Sequence, residues 1–457
     1  MLISPLAVVV LAAGQGKRFH SDMPKVLHRM NGRTLIHHVI SVVQSLGEVE
    51  RLVVVVGRNA DAVRTEVARH APTAICVEQP EPLGTADAVK CALPLLDGFD
   101  GVLVVLPGDT PLVSARSLIS LIAYHADSSA AVSLLTARVD DPTGYGRVIQ
   151  AANGHVTIVE DADATDAQKS VDDISSGFWC FDISRLSDAL GRIDASNEQG
   201  EYYLPDAAMA IGAGGGIVTL QIEDPDEVRG INDREQLADA AAVARRRTIS
   251  LLAAAGVTFE DPATTYVDAD VEIGPDTIVR PNTFLEGRTV IGARCSIGPS
   301  TRIVDSVVDD DAEVTFSVVR EAKIGSGAQV GPFASVRPGT TLGPRSKVGT
   351  FVEVKASSIG EGSKVPHLSY IGDAELGADV NIGAGTITCN YDGETGIKSK
   401  TVIGDGVLVG SDTMLVAPVN LADDSVTGAG SVVTKDVAEG DVVVGSPARP
   451  VRRRRPR

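Results

Sequence analysis

A turn of small residues flanked by basic side chains follows the first aliphatic run of the chain. Residues 11–19 read LAAGQGKRF, so several backbone amides are uncovered next to Lys17 and Arg18, and Lys25 follows shortly after. Amides and cations that converge at the end of a parallel strand suit a nucleoside triphosphate. The segment does not match the P-loop, because no Lys-Ser or Lys-Thr pair follows a first glycine at the required spacing, and it does not match G-x-G-x-x-G, because Phe19 stands where the third glycine belongs. A tight turn with exposed basic residues is the alternative.

Asp109 closes a second aliphatic run, Val102–Leu106, after Pro107 and Gly108. A lone carboxylate at the carboxyl end of a central strand is well placed to hold Mg²⁺ on a nucleotide phosphate. An aspartate that caps a helix or turn is the alternative.

His367 is the only histidine after His155, and it lies two residues past the aliphatic Val365. Acetylation of an amine needs a base that takes the ammonium proton near neutral pH, and imidazole is the natural group. A lone surface histidine usually has no function. Here, however, the nearby segments concentrate polar and cationic side chains, namely Arg337, Lys355, Tyr370, Asn381, Asn390 and Tyr391.

The elements of the first half predict an α/β domain of the nucleotide-binding, Rossmann-like type. Leu6–Leu11, Leu52–Val56 and Val102–Leu106 are short aliphatic runs typical of strands buried on both faces of a parallel sheet. Between them, Thr34–Leu46 and Thr85–Leu96 have helical apolar spacing.

The second half repeats with a period of six, which predicts a β-helix of hexapeptides with one inward aliphatic per flat side. About ten coils fit between Val267 and Val444 at 18 residues each, stacked at about 4.8 Å. A slip between Ile382 and Ile403 predicts that residues 392–396 loop out. The inward positions are Ile273, Val279, Leu285, Ile291, Ile297 and Ile303, and then Ile324, Val330, Val336, Leu342, Val348 and Val354.

A linker helix is predicted between the halves, capped by Asp233 with Gln236 three residues later, and ended by Gly256. We therefore predict an α/β domain over residues 1–232, a linker helix over 233–256, and a left-handed parallel β-helix with a basic tail over 257–457.

Composition narrows the functional class. Hydrophobic residues make up 44% and charged residues 22%, as in a folded protein, and the net charge of −19 argues against nucleic-acid binding. Five scattered cysteines suggest neither disulfides nor a zinc site. We found no membrane-length apolar run and no basic signal-peptide start, so we predict a cytoplasmic protein. We expect the arginine-rich end to be a solvated disordered tail, with a phosphate or partner contact as the alternative.

Together these motifs resemble the sugar-1-phosphate nucleotidylyltransferases and, with the β-helix, the bifunctional N-acetylglucosamine-1-phosphate uridylyltransferase/glucosamine-1-phosphate acetyltransferases. The resemblance covers about residues 6–446. Further motifs that carry it are Gln79 with 83–85 (LGT), 143–147 (TGYGR), Glu160, 199–203 (QGEYY) and Asn232.

The resemblance implies a first site that transfers UMP from UTP to N-acetylglucosamine 1-phosphate, releasing pyrophosphate. Asp109 and Asn232 would carry Mg²⁺, and Arg18 and Lys25 would neutralise phosphate charge. Gly146 and Glu160 would hold the sugar. The remaining nucleotide contacts would be Leu11, Ala12, Ala13, Gly14, Gln79, Gly84, Thr85 and Gly108.

It also implies a second site that acetylates glucosamine 1-phosphate with acetyl-CoA, in a homotrimer with active sites between neighbours. His367 would be the general base, with Glu353 as its orienting partner. The final product implied by the two reactions, UDP-N-acetylglucosamine, would serve cell-wall precursor synthesis. Arg337, Lys355, Tyr370 and Asn381 would bind the acceptor sugar phosphate, and Ala384, Asn390, Tyr391, Ser411 and Ala429 would line the acetyl-CoA groove. We expect Cys389 to be a buried structural thiol.

Three departures from the family pattern stand out. Lys17 replaces a threonine. Ser175 stands where the family has an asparagine that contacts the sugar, and a serine lacks the paired amide groups. Ser446 replaces an arginine that some members place on coenzyme A, for which Arg449 is the substitute we predict and the arginine tail is the alternative.

Two other functions fit parts of the sequence. One is a single-activity nucleotidylyltransferase whose β-helix only drives oligomerisation, against which His367, Lys355 and Asn381 argue. The other is a nucleotide-sugar sensor without catalysis, which Asp109 disfavours.

Overall fold

The computed structural model describes residues 5–58, 60–152 and 154–454. The chain divides into two compact units, Met1–Ala244 and Arg245–Arg457. No helix within the described part of the chain is long and apolar enough to cross a membrane.

The strands of the first unit are β1 (Leu6–Ala12), β2 (Arg29–Met30), β3 (Arg33–Thr34), β4 (Arg51–Val56), β5 (Ile75–Glu78), β6 (Val102–Pro107), β7 (Val132–Arg138), β8 (Arg147–Gln150), β9 (Val156–Val159), β10 (Asp173–Asp182) and β11 (Ile217–Gln221). Seven of them form a mixed sheet in the order β11-β7-β10-β6-β1-β4-β5, in which β10 runs antiparallel to β6 and β7. β8 joins this sheet beside β10 and pairs with β9, and β2 and β3 form a separate two-stranded sheet. The predicted aliphatic strands are confirmed as β1, β4 and β6.

Helices cover both faces of this sheet, because alternate residues of β1 pack into different cores. Val8 and Val10 belong to one cluster, and Ala7 and Val9 belong to the other. All four are fully buried, and each valine contributes about 1.5–3 kcal/mol of burial free energy. The helices are α1 (Leu35–Gln44), α2 (Asp61–His70), α3 (Thr85–Ala92), α4 (Ala115–Ser128), α5 (Asp166–Lys169), α6 (Ile183–Leu190), α7 (Leu204–Gly215) and α8 (Arg234–Ala254).

Helix α8 begins with the capping bond expected from the sequence. The backbone amide of Gln236 donates to Asp233 Oδ1 at 2.8 Å. The Gln236 side chain then accepts from the Asn232 amide at 2.7 Å. Gly256, with φ of +100°, follows the end of the helix. The boundary between the two compact units falls within α8.

The second unit is a left-handed parallel β-helix with three faces. Face 1 contains Thr258–Phe259, Ile278–Val279, Ser296–Ile297, Glu313–Val314, Gln329–Val330, Lys347–Thr350, Lys364–His367, Asn381–Ile382, Leu408–Val409, Val426–Thr427, Asp441–Val444 and Arg449–Arg453. Face 2 contains Tyr266–Val267, Phe284–Glu286, Arg302–Val304, Val318–Arg320, Ser335–Val336, Glu353–Lys355, Tyr370–Gly372, Ile387–Cys389, Met414–Val416 and Val432–Val433. Face 3 contains Glu272–Ile273, Val290–Ile291, Val307–Val308, Lys323–Ile324, Thr341–Leu342, Ser358–Ile359, Ala374–Leu376, Thr401–Ile403 and Val419–Leu421.

The interruption of the sixfold pattern after Ile303 does not interrupt the β-helix. Val308, Val314 and Val319 point into the same core and are fully or almost fully buried. The steps from Ile303 to Val308 and from Val314 to Val319 are five residues instead of six. The turn is shorter there, so a strict period of six loses the register.

Residues 392–396 form a turn outside the coils, which confirms the predicted loop. It belongs to a longer excursion between Ile387–Cys389 and Thr401–Ile403, closed by a bridge between Tyr391 and Lys398. On face 1, Ile382 pairs with Val409, which is 27 residues further along the chain. In an ordinary coil the interval is 18 residues, as between Ile278 and Ser296. The coil with the excursion is therefore nine residues longer than a regular one.

The expectation of a disordered basic tail is wrong for the residues that the structure describes. Arg449–Arg453 forms a strand antiparallel to Asp441–Val444. Arg454 follows it and donates to the carbonyl of Gly406 at 2.8 Å and to Asp424 Oδ1 at 3.0 Å. These bonds hold the chain end on the last coils. Arg455 and Arg457 lie outside the described residues.

Candidate active sites

A cavity of about 770 Å³ opens in the first unit where β1, β5 and β6 end. The carboxyl ends of parallel strands are the usual place for a nucleotide. Of the residues predicted to form the first site, Gly108 alone does not line the cavity. It lies behind the cavity wall, where its amide donates to the Leu11 carbonyl at 2.8 Å. The predicted residues that line the cavity are Leu11, Ala12, Ala13, Gly14, Arg18, Lys25, Gln79, Gly84, Thr85, Asp109, Gly146, Glu160, Ser175 and Asn232.

Gly16 lets the loop that follows β1 approach Lys25. Its φ is +59°, in the left-handed region, and a Cβ on it would lie 2.8 Å from the Cβ of Lys25. Only glycine satisfies both conditions without displacing the lysine. The loop then continues into a short 3-10 helix, Lys17–Phe19, so that Arg18 lines the cavity.

Asp109 and Asn232 converge on one cation. The ammonium group of Lys25 is in contact with Asp109 Oδ2 and lies 3.1 Å from Asn232 Oδ1. Lys25 is buried, and these two oxygens pair its ammonium group. A second bond fixes the pair, because the Ile231 amide donates to the Asp109 carbonyl at 2.9 Å. A carboxylate and an amide oxygen aimed at one point form a donor set that suits Mg²⁺.

Gln79 is oriented by two bonds from its amide nitrogen, to the Gly84 carbonyl at 3.0 Å and to Asp87 Oδ2 at 2.8 Å. Both amide hydrogens are therefore used, and the carbonyl oxygen is left for a ligand donor. Gly84, with φ of +110°, packs so closely that a Cβ would lie 2.5 Å from the Tyr202 carbonyl. Thr85 holds the fold as well as lining the cavity, because its hydroxyl accepts from the Leu204 amide at 3.0 Å.

The residues that are predicted to bind the sugar come together on the far side of the cavity. The Ser175 amide donates to the Gly146 carbonyl at 2.8 Å. A Cβ on Gly146 would lie 3.4 Å from the Glu160 carboxylate, so glycine opens the space in front of that group. Burial, aided by Asp206, Asp163, Asp161 and Glu201, raises the pKa of Glu160 from 4.5 to about 7.

The second cluster lies on the outer surface of the β-helix, around the corner between face 1 and face 2. Arg337, Glu353 and Tyr370 occupy neighbouring coils of face 2. Arg337 Nη1 donates to Glu353 Oε1 at 2.6 Å. Glu353 was expected to orient His367, and the structure pairs it with Arg337 instead. Within the described range the His367 ring has no hydrogen-bond partner.

Asn390 joins the excursion to the cluster. It is buried, and its side-chain amide donates to Asp373 and, at 3.5 Å, to the Tyr370 hydroxyl. Tyr391 beside it is 61% exposed. Cys389 is half-buried instead of fully buried, and burial raises the pKa of its thiol, which disfavours a nucleophilic thiolate.

A ladder of small residues continues along the same corner after His367. Ala384, Ser411 and Ala429 occupy successive coils, and the amide that follows Ser411 donates to the Ala384 carbonyl at 2.7 Å. A Cβ on Gly383 would lie 2.4 Å from the Ser411 nitrogen, so this wall is tightly packed. Arg449 lies beyond the ladder, exposed, on the last strand of face 1.

The sequence analysis missed the residues that support these sites from behind. Asp87 orients Gln79, and Arg147 forms an ion pair with Asp161 beside the sugar residues. Asp87 lies one helical turn after Gly84, so helical spacing alone could have predicted that Asp87 lies close to Gln79. Nothing local signals the pair between Arg147 and Asp161, because it joins two strands.

Comparison with known families separates the same two halves. Residues 8–169 match the MobA-like NTP transferase domain. Residues 321–356 match the bacterial transferase hexapeptide (six repeats), and residues 400–435 match the hexapeptide repeat of succinyl-transferase.

Full-length relatives combine both halves. The bifunctional protein GlmU of Pelotomaculum thermopropionicum is 50% identical over 91% of this chain and 90% of that protein. The GlmU of Thermobifida fusca is 48% identical over 97% and 92%, and that of Mycolicibacterium gilvum 46% over 97% and 90%.

The chain belongs to the GlmU family. It is accordingly a bifunctional enzyme with a uridylyltransferase half and an acetyltransferase half. The cavity of the first unit lies in the NTP transferase half of this chain, and the His367 corner lies in the hexapeptide half.

Proposed function

We propose that the first unit transfers UMP from UTP to N-acetylglucosamine 1-phosphate and that the second acetylates glucosamine 1-phosphate with acetyl-CoA. The second reaction makes the substrate of the first, and the final product is UDP-N-acetylglucosamine for cell-wall synthesis. The observation that carries the first assignment is the convergence of Asp109, Asn232 and Lys25 in the 770 Å³ cavity.

Uridylyl transfer needs charge neutralisation and alignment more than it needs a protein nucleophile. An oxygen of the sugar phosphate attacks the α-phosphorus of UTP, and the bond to the bridging oxygen breaks, so pyrophosphate leaves. Arg18 and Lys25 line the cavity that receives these phosphates. Their positive charges would stabilise the negative charge that builds on the non-bridging oxygens.

Asp109 and Asn232 would hold Mg²⁺. Their two oxygens already surround one cation, the Lys25 ammonium, and Mg²⁺ commonly takes one or two protein oxygens together with phosphates and water. When bound, the metal would supply Lewis-acid stabilisation of the phosphates. Lys25 would then move its ammonium from Asp109 to the substrate phosphate.

Base and sugar recognition follow from the two ends of the cavity. The free carbonyl oxygen of Gln79 would accept the N3–H of uracil, because Gly84 and Asp87 occupy its amide hydrogens. At the other end the Glu160 carboxylate would accept from sugar hydroxyls in the space that Gly146 leaves open. Ser175 lies there with a short hydroxyl in place of the family asparagine.

In acetyl transfer the amino group of glucosamine 1-phosphate attacks the thioester carbonyl, and coenzyme A leaves as the thiol. His367 would take the proton that the ammonium group must lose. Arg337 and Lys355 would bind the phosphate, with Tyr370 and Asn381 on the sugar. The small-residue ladder of Ala384, Ser411 and Ala429 would accommodate the pantetheine arm, with Asn390, Tyr391 and Arg449 as further coenzyme A contacts.

We also propose a homotrimer, because one corner of the β-helix carries an exposed apolar ladder that ends beside His367. Phe316, Phe333, Phe351 and Leu368 are 41%, 54%, 59% and 62% exposed. The first three rings are in contact, Phe316 tilted on Phe333 with centroids 5.7 Å apart and Phe333 stacked on Phe351 with centroids 5.4 Å apart. Exposed apolar surface of this extent typically marks an interface. The His367 cluster lies on an open outer surface, and a neighbouring copy would supply the missing wall.

A cytoplasmic location is part of the proposal. The five cysteines are all free thiols, which suits a reducing compartment.

A substrate panel with two variants tests the assignment. We expect wild-type protein to release pyrophosphate from UTP with N-acetylglucosamine 1-phosphate and Mg²⁺, and free thiol from acetyl-CoA with glucosamine 1-phosphate. Asp109→Ala should abolish only the first reaction, and His367→Ala only the second. Asp188→Asn and His155→Ala are exposed control substitutions. If wild-type protein catalyses one reaction alone, or if His367→Ala acetylates at the wild-type rate, the proposal is wrong.

A further inference from the structure

Arg147 ends the motif at residues 143–147 and is almost completely buried, at 2% exposed. Gly144, Tyr145 and Gly146 line the cavity of the first unit, whereas Arg147 does not. A buried guanidinium must be paired, because leaving it without partners in the interior is costly. Its partners therefore show what it is for.

The two partners of Arg147 flank Gly146 and Glu160, which are predicted to bind the sugar. One terminal nitrogen donates to the Tyr145 carbonyl, and the other donates to Asp161 Oδ1 at 2.9 Å. Tyr145 directly precedes Gly146 in the chain, and Asp161 directly follows Glu160. The guanidinium thus connects the backbone before Gly146 to the side chain after Glu160.

The strand register makes this connection short. Arg147 begins β8 and lies opposite Val159, the last residue of β9. Beyond this pair the two strands separate, and Gly146 and Glu160 face each other there at the cavity. The paired register of β8 and β9 ends before these two residues, and the bond from the Ser175 amide holds Gly146 alone, so the bridge between Arg147 and Asp161 is the contact that links their two segments here.

We infer that Arg147 and Asp161 form a clamp that positions Gly146 and Glu160 for the sugar phosphate, and that Arg147 balances the negative charge of Asp161 beside Glu160. Neither clamp residue lines the cavity, so both are positioning residues. The inference rests on the proposed function of this site as the sugar site.

The charges around Glu160 explain why neutralisation matters. Burial is the first cause of its raised pKa, and every neighbouring group that acts on it is acidic. Arg147 is the cation of the ion pair that compensates one of these acids. The groups that face Glu160 are Asp161 and Asp163 on its own segment, and Glu201, Tyr203 and Asp206 on the segment packed against it.

The two clamp residues therefore have opposite electrostatic effects. Arg147→Met leaves the Asp161 charge uncompensated and raises the pKa of Glu160 further. Asp161→Asn removes one negative charge and lowers it. The double variant Arg147→Met/Asp161→Asn removes both charges and returns the pKa of Glu160 towards its wild-type value.

The experiment measures kcat and KM of UMP transfer between pH 5.5 and 9 for wild type, both single variants and the double variant. We expect Arg147→Met to raise the KM for N-acetylglucosamine 1-phosphate about tenfold at pH 7, and to change the KM for UTP less than about twofold. Its pH midpoint for sugar binding should move up by about half a unit or more, and that of Asp161→Asn should move down. The double variant should have a midpoint close to that of wild type.

Acetyl transfer by the same preparations is the folding control. Arg147→Lys keeps the positive charge but lacks the guanidinium that bonds the Tyr145 carbonyl and Asp161 together, so it separates the effect of charge from that of the clamp. A clamp that merely holds the fold would impair both single variants without opposite pH shifts. That outcome, or an unchanged sugar KM in Arg147→Met, would overturn the inference. If wild-type protein does not use this sugar phosphate at all, the proposed function fails first, and the two failures are therefore distinct.

Discussion

Glu160 should lower the free energy of unfolding of the first unit at alkaline pH. Its carboxyl group is buried among acidic neighbours, and this site disfavours the ionised form. Its pKa is 4.5 in an unfolded chain and about 7 in the folded protein. The folded state therefore binds the proton more tightly, and ionising the group costs folding free energy. Each pKa unit corresponds to about 1.4 kcal/mol, so the cost at pH 8 is about 3 kcal/mol. It is absent below pH 4.5 and complete above pH 7.

Glu160→Gln removes this cost without changing the shape of the side chain. We expect the variant to be more stable than wild type by up to about 3 kcal/mol at pH 8, and by much less at pH 5. Its UMP transfer should fall because an amide cannot replace a carboxylate acceptor for the sugar. Stability would thus be gained where activity is lost.

The chain offers a specific probe for this measurement. Trp179 is the only tryptophan of the chain, it is buried, and it lies in β10 of the first unit beside the cavity. Urea unfolding followed by its fluorescence therefore reports the first unit and not the β-helix. Glu198→Gln, a nearby exposed substitution, is the control for the loss of one negative charge. An equal gain at pH 5 and pH 8, or no gain at pH 8, would refute the reasoning.

Three further predictions test the sites and the chain end. Gly16→Ala, in a left-handed position 2.8 Å from the Lys25 Cβ, should lower kcat of UMP transfer by about 100-fold and leave acetyl transfer unchanged; equal loss of both activities would point to misfolding. His367→Asn should lower acetyl transfer by about 10²–10⁴-fold at pH 7.5 in a thiol-release assay, and a smaller loss would remove the general-base role. Deletion of residues 452–457 removes the hydrogen bonds of Arg454 to Gly406 and Asp424. It should lower the Tm of the β-helix by about 2–4 °C in calorimetry. An unchanged Tm would show that the terminal strand contributes nothing to stability.

The sequence predicted those parts of the fold that depend on local patterns. The buried runs that became β1, β4 and β6 are apolar on both sides, and such runs have few alternatives to a covered parallel sheet. The hexapeptide period likewise predicted the β-helix. A strict period of six failed between Ile303 and Ile324 and again after Val354, where five-residue steps change the spacing but not the inward direction of Val308, Val319 and Ile359. Periodicity counts residues, whereas the core requires only that each side chain point inward.

Composition was a poorer guide at the chain end. A run of arginines predicts a solvated tail when it has no partners. Here Asp424 accepts from Arg454, and Asp441, which lies opposite Arg453 on the neighbouring strand, pairs with Arg453. Contacts between residues far apart in the sequence decide such cases, and the same holds for Arg147 and Asp161.

The acetyltransferase corner shows where the repeat departs from its own rule. Most inward positions are aliphatic, but Thr388 and Thr427 point inward and are almost completely buried. Both are hydrogen-bonded to backbone amides, Thr388 to Gly372 at 2.8 Å and Thr427 to Gly410 at 3.0 Å, so neither leaves a buried polar group unsatisfied. These coils also carry Asn390 and the small-residue ladder.

The coincidence has a physical reason. A site for two substrates needs a long strand at His367, an excursion with Asn390, and a wall of small residues, and each of these disturbs the regular turn. Inward hydroxyls can bond the backbone amides of the disturbed coils, which aliphatic side chains cannot do. Irregular coils with polar cores are therefore expected where a β-helix carries an active site, and uniform aliphatic coils where it serves only as a support.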